Sequence, residues 1–197
     1  MKRVAIVGIQ GVPANYGGFE TLVENIIGEN CSEGIEYTVF CSSKDMPERI
    51  KEYKGARLKY IPLRANGMQS IFYDMVAMIR SMRKYDTVLV LGVSGCIFLP
   101  VFKLFCNKRV IVNIDGLEHR RSKWKGWVQR YLRFSERMAI KFADTIIADN
   151  RGIQEYVNHV YNVDTELVTY GGNHVLREIS EQQEQEILER YGITPGN

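Results

Sequence analysis

Cysteine is scarce in this sequence, and its spacing excludes two kinds of cysteine-based scaffold. Four cysteines occur among 197 residues, and none of them forms a CxxC pair. The four are Cys31, Cys41, Cys96 and Cys106. Such wide spacing indicates neither a disulfide framework nor a zinc site. We therefore expect reduced thiols and a cytoplasmic location.

Long hydrophobic runs are also missing. The uncharged stretch from Thr87 to Phe102 is shorter than the roughly 20 apolar residues that a membrane-spanning helix needs, and glycine and proline interrupt it. The apolar run at the N-terminus, Val4 to Val7, is too short for a signal peptide and is typical of a strand. We expect no segment that crosses a membrane.

There is little excess charge of either sign. The formal net charge is +3, which is too small to indicate nucleic-acid binding by itself, and we expect no nucleic-acid partner. Hydrophobic residues make up 45% of the chain and charged residues 25%, as in soluble globular domains. The length favours one folded domain with one substantial core.

What the sequence does contain is a regular alternation of short apolar runs and helical patterns. The apolar runs predict strands at 2–9, 36–41, 57–62, 87–91, 109–114, 145–148 and 166–168. Helical patterns lie at 19–27, 71–83, 97–105 and 125–142. This order predicts an α/β fold with a doubly wound, mostly parallel, Rossmann-like sheet over residues 1–177. A polar helix and a linker are predicted at 178–197.

Ligands of such folds bind beyond the carboxyl ends of the strands, so the segments after the strands hold the candidate functional residues. The first segment contains Gly17, Gly18, Phe19 and Glu20, where a glycine pair precedes a helix and outlines an anion site. A glycine-rich turn without a ligand is the alternative. The segment matches neither the Walker A pattern nor GxGxxG, so it does not support NAD or a tightly held nucleoside triphosphate.

A second segment gathers Asp115, Glu118 and His119 after the fifth predicted strand. Two carboxylates and an imidazole at a strand end indicate acid/base chemistry or polar substrate binding, although Asp115 could instead cap the next turn. The other histidines, His159 and His174, are remote in sequence, so we expect no metal.

Ser94 lies in a third segment, after the fourth predicted strand. Cys96 takes the place of the second glycine of a GxSxG nucleophile motif, so the motif is not matched. The segment is therefore interpreted as a substrate-facing loop or a plain turn.

Positive charge is concentrated in residues 119–141, where aromatic side chains are interleaved with basic ones. This combination is typical of a helix that lies against anionic lipid headgroups, and equally of a domain helix whose basic residues are solvated. The candidate membrane contacts are Lys123, Trp124, Lys125, Trp127 and Arg130.

Three segments together resemble the N-terminal half of glycosyltransferase family 4 enzymes, particularly the bacterial subset described as rhamnosyltransferases. They are residues 11–21, which contain G-G-F-E, residues 113–118, which contain D-G-L-E, and residues 143–149. The resemblance covers about 175 residues. It implies a GT-B architecture in which this chain forms the acceptor-side domain and an absent C-terminal domain holds most of the nucleotide sugar.

The resemblance also implies the chemistry. Gly17 and Gly18 would approach the donor diphosphate, and Glu20 would begin the helix and touch the acceptor. Many family members have a histidine at the end of the fifth strand, where this chain has Asp115, and we expect Asp115 to contact the sugar or the acceptor hydroxyl. Transfer would retain the anomeric configuration without a protein nucleophile or a cofactor.

The donor that the family resemblance implies is dTDP-rhamnose, and the acceptor is a lipid-linked saccharide of surface polysaccharide synthesis. This would place the protein at the cytoplasmic face of the membrane, as a peripheral protein, and leave this chain inactive without the second domain. Two alternatives remain: an oxidoreductase or epimerase, which lacks its dinucleotide fingerprint here, and a non-catalytic module that docks through helix 119–141.

Overall fold

In the described part of the chain, eight strands form one mostly parallel sheet with helices packed on both of its faces. The computed structural model describes residues 1–15, 17–28, 34–114, 116, 125–171 and 180–191. The strands are β1 (Lys2–Val7), β2 (Ile35–Ser42), β3 (Glu52–Tyr53), β4 (Ala56–Ile61), β5 (Thr87–Leu91), β6 (Arg109–Ile114), β7 (Thr145–Ala148) and β8 (Glu166–Leu167). The helices are α1 (Gly17–Gly28), α2 (Gln69–Ser81), α3 (Leu99–Phe105), α4 (Gly126–Phe142), α5 (Arg151–Tyr161) and α6 (Glu181–Tyr191).

The strand order is β3-β4-β2-β1-β5-β6-β7-β8. All neighbouring strands are parallel except β3, which pairs antiparallel with β4 at one edge. The chain therefore winds outward from β1 first in one direction, through β2 and β4, and then in the other, through β5 to β8. The predicted doubly wound, mostly parallel α/β fold is confirmed.

Three elements differ from the sequence-based expectation. The two-residue strand β3 and the helix α5 were not predicted, and a 3-10 turn at Cys96–Phe98 precedes α3 in place of one continuous helix. Helix α5 does carry the usual signals. The Asn150 side chain caps its first turn by accepting from Ile153 N at 3.0 Å, and Asn162 ends it at φ +52°.

The sheet separates two hydrophobic clusters, which explains why its strands are apolar on both sides. On one face α2, α3, α4 and α5 bury side chains such as Tyr73, Phe102 and Ala139. On the other face α1 buries Val23 and Ile27. Side chains of consecutive strand residues point to opposite faces, so both layers draw on the same strands.

None of the helices in the described ranges is long and apolar enough to cross a membrane. The three described cysteines, Cys41, Cys96 and Cys106, are free thiols. Cys31 lies outside the described residues.

The centre of the sheet depends on a close approach between β1 and the strand beside it, β5. Gly8 follows β1 at φ +98°, and a Cβ atom there would lie 2.1 Å from the Leu91 carbonyl oxygen of β5. Real Cβ atoms do not approach a carbonyl this closely. Only glycine therefore allows the chain to leave β1 at this point.

Replacing Gly8 with alanine should unfold the protein at markedly lower denaturant concentration, because the new methyl group must push β1 and β5 apart. The matched control is Gly34→Ala, since Gly34 has the same φ of +98° and a Cβ atom there would meet no atom within 4 Å. The control measures backbone strain alone, on the order of 1–3 kcal/mol. Equal losses in the free energy of unfolding for the two variants, measured by urea denaturation, would contradict the close approach.

Candidate functional site

The winding direction of the sheet reverses between β1 and β5. At such a switch point the loops after the two strands diverge and leave a crevice at the carboxyl edge of the sheet, where ligands of open α/β folds bind. Here the crevice is bordered by residues 8–15 after β1 and by residues 92–95 after β5. These are two of the three segments that the sequence indicated.

Helix α1 begins at this crevice with a pair of glycines. Gly17 has φ +79°, and Gly18 follows it in the first turn. The amide groups of a first turn have no acceptor within the helix, and the helix dipole is positive at this end. Without side chains, both glycines leave these amides open to an approaching anion.

A pocket of about 340 Å³ lies against this first turn. It is lined by Gly17, Gly18, Thr21, Leu22, Asn25, Tyr170 and Gly171. A Cβ atom on Gly18 would lie 3.5 Å from the Tyr170 ring. The turn at residues 170–171 therefore forms one wall of the candidate site, although it follows β8, the strand farthest from β1 on its side of the sheet.

Two carboxylates of α1 hold the loop that precedes the helix. Gln10 N donates to Glu20 Oε1 at 2.9 Å, and Ala14 N donates to Glu24 Oε2 at 3.0 Å. Glu20 is only 5% exposed, and burial raises the pKa of its carboxyl group. Lys54 lies 3.2 Å from the Glu24 carboxylate. The contact that the structure gives Glu20 is thus with the loop backbone rather than with the open pocket.

Phe19 connects α1 to the loop after β5. Its half-buried ring packs on the α1 side of the sheet, and a Cβ atom on Gly92 would lie 3.8 Å from it. Helix α1 therefore approaches the loop after β5 through Phe19.

Helix α4, which packs on the face of the sheet opposite to α1, holds the loop after β5 in place. The Tyr131 hydroxyl donates to Ser94 O at 2.7 Å, and the Ser135 hydroxyl donates to Val93 O at 2.5 Å. Ser135 also accepts from Ile97 N at 3.0 Å. Side chains of α4 thus satisfy the backbone groups that the loop leaves without strand partners.

A buried carboxyl group, Asp74 of α2, lies beneath the same loop. The Ser94 hydroxyl donates to Asp74 Oδ2, and the backbone of Gly95 also hydrogen-bonds to this carboxyl group. A Cβ atom on Gly95 would lie 2.3 Å from Asp74 Cβ, so only glycine fits above it. Burial raises the pKa of Asp74 to about 7, although both hydrogen bonds oppose the shift. The Ser94 hydroxyl proton is therefore used in the hydrogen bond that holds the loop after β5 against Asp74.

Sequence reasoning missed Asp74, although a signal for it exists. Asp74 is on the same helix face as Ala77, Met78 and Ser81, which are all buried, so the 3.6-residue period places a charged residue among core positions. A carboxyl group in such a position needs a hydrogen-bond partner or a proton. The missing information was the identity of that partner, which comes from the loop after β5.

The remaining predicted residues divide between described and undescribed parts of the chain. Lys125, Trp127 and Arg130 are exposed on α4 or just before it. The predicted catalytic residues Asp115, Glu118 and His119, and the predicted membrane contacts Lys123 and Trp124, lie outside the described residues. Within the described ranges, no group of three or more histidine, cysteine or acidic side chains could hold a metal ion.

The raised pKa of Asp74 makes the stability of the fold depend on pH. Between 3.8 and about 7 the folded state keeps a proton that the unfolded state releases, so stability falls as pH rises through this range and levels off above it. Each unit of pKa difference is worth about 1.4 kcal/mol. Asp74→Asn preserves the shape and removes the titration.

Urea denaturation of the wild type and of Asp74→Asn between about pH 4 and 8 measures this effect. We expect the stability of the wild type relative to the variant to fall by several kcal/mol up to about pH 7 and then to stay constant. Glu155→Gln, which removes one carboxylate from an exposed position of α5, is the control for the loss of a surface charge. A difference that is independent of pH would show that Asp74 is not a buried, protonated group.

Comparison with solved structures shows what this chain is similar to. Sucrose-phosphate synthase from Thermosynechococcus elongatus superposes with a TM-score of 0.73 at 14% identity, over 95% of this chain and 53% of that protein. HepE from Anabaena, in complex with UDP and glucose, superposes with a TM-score of 0.64 at 13% identity, over 98% of this chain and 50% of that protein. The chain thus spans about half the length of each.

A plant protein shows the same similarity more weakly. UGT89C1 from Arabidopsis thaliana, complexed with UDP-L-rhamnose, superposes with a TM-score of 0.50 at 11% identity, over 96% of this chain and 63% of that protein. At such low identities these likenesses establish the fold and nothing further.

No curated protein matches the sequence. The family model described as "Domain of unknown function (DUF1972)" matches residues 1–173, which include every strand of the sheet and every described residue of the crevice. The chain belongs to the DUF1972 family.

Proposed function

We propose that this chain is the N-terminal half of a GT-B glycosyltransferase, which moves a sugar from a nucleotide sugar to an acceptor bound mainly by this half. The observation that carries the proposal is that helix α1 begins with Gly17 and Gly18 at the switch point of the sheet. The likeness to half of HepE, whose structure contains UDP and glucose, supports it. A second domain would supply most of the donor contacts.

The first turn of α1 suits the donor diphosphate for electrostatic reasons. Its free amides and the positive end of the helix dipole stabilise negative charge, and this charge increases on the leaving phosphate as the glycosidic bond breaks. Gly17 and Gly18 leave room for the phosphate oxygens to reach the backbone. Glu20 and Glu24 act as positioning residues, because they hold the preceding loop through Gln10 N and Ala14 N.

The reaction itself follows from the family 4 resemblance. The acceptor oxygen would form its bond to the anomeric carbon on the face from which the nucleoside diphosphate departs. The bond from that carbon to the phosphate oxygen breaks, and the departing phosphate takes the acceptor proton. This course retains the anomeric configuration without a protein nucleophile. Asp115, the first residue after β6, is proposed to contact the sugar or the acceptor hydroxyl, with Glu118 and His119 near it in sequence.

The substrates are proposed on the same resemblance. The donor is dTDP-rhamnose and the acceptor is a lipid-linked saccharide of surface polysaccharide synthesis. Rhamnose is the sugar bound in the UGT89C1 structure, although with UDP. The choice between nucleotides depends on residues of the proposed second domain.

A docking module without catalytic activity is the alternative. It is favoured by one observation, namely the exposed aromatic side chains Trp127 and Phe134 on the basic helix α4. Transfer activity separates the two functions, since a docking module has none.

Adding one methyl group at the proposed diphosphate site should impair transfer without harming the fold. Gly18→Ala places a Cβ atom 3.5 Å from Tyr170, an ordinary contact distance, and alanine favours the helix. Release of nucleoside diphosphate by the complete protein should fall at least about tenfold in kcat/KM, since the methyl group separates the phosphate from the amides.

Gly126→Ala is the matched control. Gly126 also begins a helix, α4, and a Cβ atom there meets no atom within 4 Å. We expect unchanged transfer for this variant, and a stability equal to or above that of the wild type because alanine favours the helix. If Gly18→Ala transfers sugar as fast as Gly126→Ala, the first turn of α1 does not bind the donor.

Removing the charge of Asp115 tests its proposed contact with the reacting sugar. Asp115→Asn in the complete protein should lower kcat by about 100-fold or more, the range typical of groups that act on a reacting proton or hydroxyl. The assay presents dTDP-rhamnose, UDP-glucose and other nucleotide sugars with a lipid-diphosphate saccharide. Full activity of the variant would remove Asp115 from the site, and no transfer by the wild type with any donor would reject the proposed function.

A further inference from the structure

Helix α3 presents an outer surface without charge. Leu104 is 79% exposed, Phe105 is 73% exposed and Val101 is 42% exposed, whereas Leu99 and Phe102 are buried against the sheet. Large apolar side chains on adjacent turns are seldom left in water unless they form a contact. Leu99 and Phe102 on the inner side of α3 pack in the hydrophobic core, so the outer side of the helix is available for a partner.

The neighbouring helix α4 extends this surface. Its inner side buries Val128, Leu132 and Ala139, so the core does not need the aromatic residues on the outer side. Trp127 is nevertheless 60% exposed and Phe134 is 47% exposed. Aromatic residues at such positions contribute large contact areas when a partner covers them.

Helical geometry places these aromatic residues on the side of α4 that is next to α3. At about 100° per residue, Trp127 and Phe134 lie within a sector of roughly 20°. Tyr131 and Ser135, which bind the loop and the 3-10 turn leading into α3, lie on the same side. Because α3 and α4 pack side by side, we call the exposed apolar and basic residues of the two helices the α3–α4 surface.

The rest of the exposed side of α4, which adjoins these aromatic residues, is cationic. Its members are Arg130, Arg133, Arg137 and Lys141, with Lys125 just before the helix. In the described part of the chain none of these five forms a salt bridge with a carboxylate. The only acidic residue of α4, Glu136, is buried and accepts from the Tyr156 and Tyr161 hydroxyls at 2.9 and 2.6 Å. No acidic side chain of α4 therefore neutralises these cations.

We propose that the α3–α4 surface docks on a bilayer that contains anionic lipids. The apolar side chains of α3 and the aromatic residues of α4 enter the boundary between headgroups and acyl chains, and the arginines contact lipid phosphates. A nucleic acid would pair with the cations but leave Leu104 and Phe105 in water. A neutral protein surface would cover the apolar residues but leave five cations unpaired.

This inference extends the proposed function, since a lipid-linked acceptor is reached at a membrane surface. It does not depend on that function, because lipid binding requires no sugar donor. The test therefore uses the purified chain with vesicles alone, and its failure would leave the transfer experiments unaffected.

Flotation with vesicles measures the binding. One set contains phosphatidylcholine alone, and the other contains phosphatidylcholine with phosphatidylglycerol, each at low and at high salt. We expect binding to the anionic vesicles that weakens with salt. The variant Arg130→Gln/Arg133→Gln/Arg137→Gln should reduce the affinity at least about tenfold, since each such residue contributes measurably to lipid attraction.

A second variant and a control separate charge from apolar contact. Leu104→Ser/Phe105→Ser leaves the charge unchanged and should also weaken binding at least about tenfold, because it removes the inserted side chains. The control, Arg49→Gln/Lys51→Gln/Arg83→Gln, removes the same charge from exposed positions elsewhere and should bind like the wild type. Circular dichroism verifies that all variants are folded.

Three outcomes would overturn the proposal. The first is absence of binding to anionic vesicles by the wild type. The second is an equal loss for the arginine variant and its control, which would indicate a response to net charge alone. The third is a dimer in solution that Leu104→Ser/Phe105→Ser dissociates while vesicle binding is unchanged, because the apolar residues would then contact a second copy of the chain.

Discussion

The crevice depends on two adjacent buried polar residues of α2, because each one fixes a different loop at the switch point. The Tyr73 hydroxyl lies 2.9 Å from Ile9 O and 2.7 Å from Phe40 O, and shares its proton between the loop after β1 and the end of β2. Asp74 binds the loop after β5 through Ser94 and Gly95. Both lie almost entirely out of water, where an unpaired polar group is costly. The positions of the two loops are thereby coupled to one turn of one helix.

Much of the fold could be predicted because local patterns and the overall topology agree. Strands that are apolar on both faces and helices between them leave few arrangements other than a doubly wound parallel sheet. The glycines of the first loop could also be located, since a strand followed by Gly17 and Gly18 and then a helix is a local pattern. The two-residue strand β3 could not, because such a short edge strand has no period of its own.

The hydrogen bonds that hold the loops of the crevice could not be predicted, because they depend on how the elements pack in the folded chain. Ser135 and Tyr131 appear in the sequence as ordinary helix positions, and only the packing of α4 beside the turn after β5 gives them their acceptors. The same holds for Glu20. The sequence places it at a helix start near a candidate anion site, whereas the fold directs its carboxylate to Gln10 N. Hydrogen-bond partners across the sheet carry no local sequence signal.

The wall that Tyr170 contributes to the pocket at α1 has a consequence for biosynthesis. The pocket combines the first helix with the segment that follows the last strand, so an unfinished chain emerging from the ribosome lacks one side of it until β8 has paired with β7. The contact between Tyr170 and Gly18 joins distant parts of the chain, and such contacts form late because the intervening chain must first be brought together. An affinity for nucleotide at this pocket would consequently report that the whole sheet, and not only its first βαβ unit, has assembled.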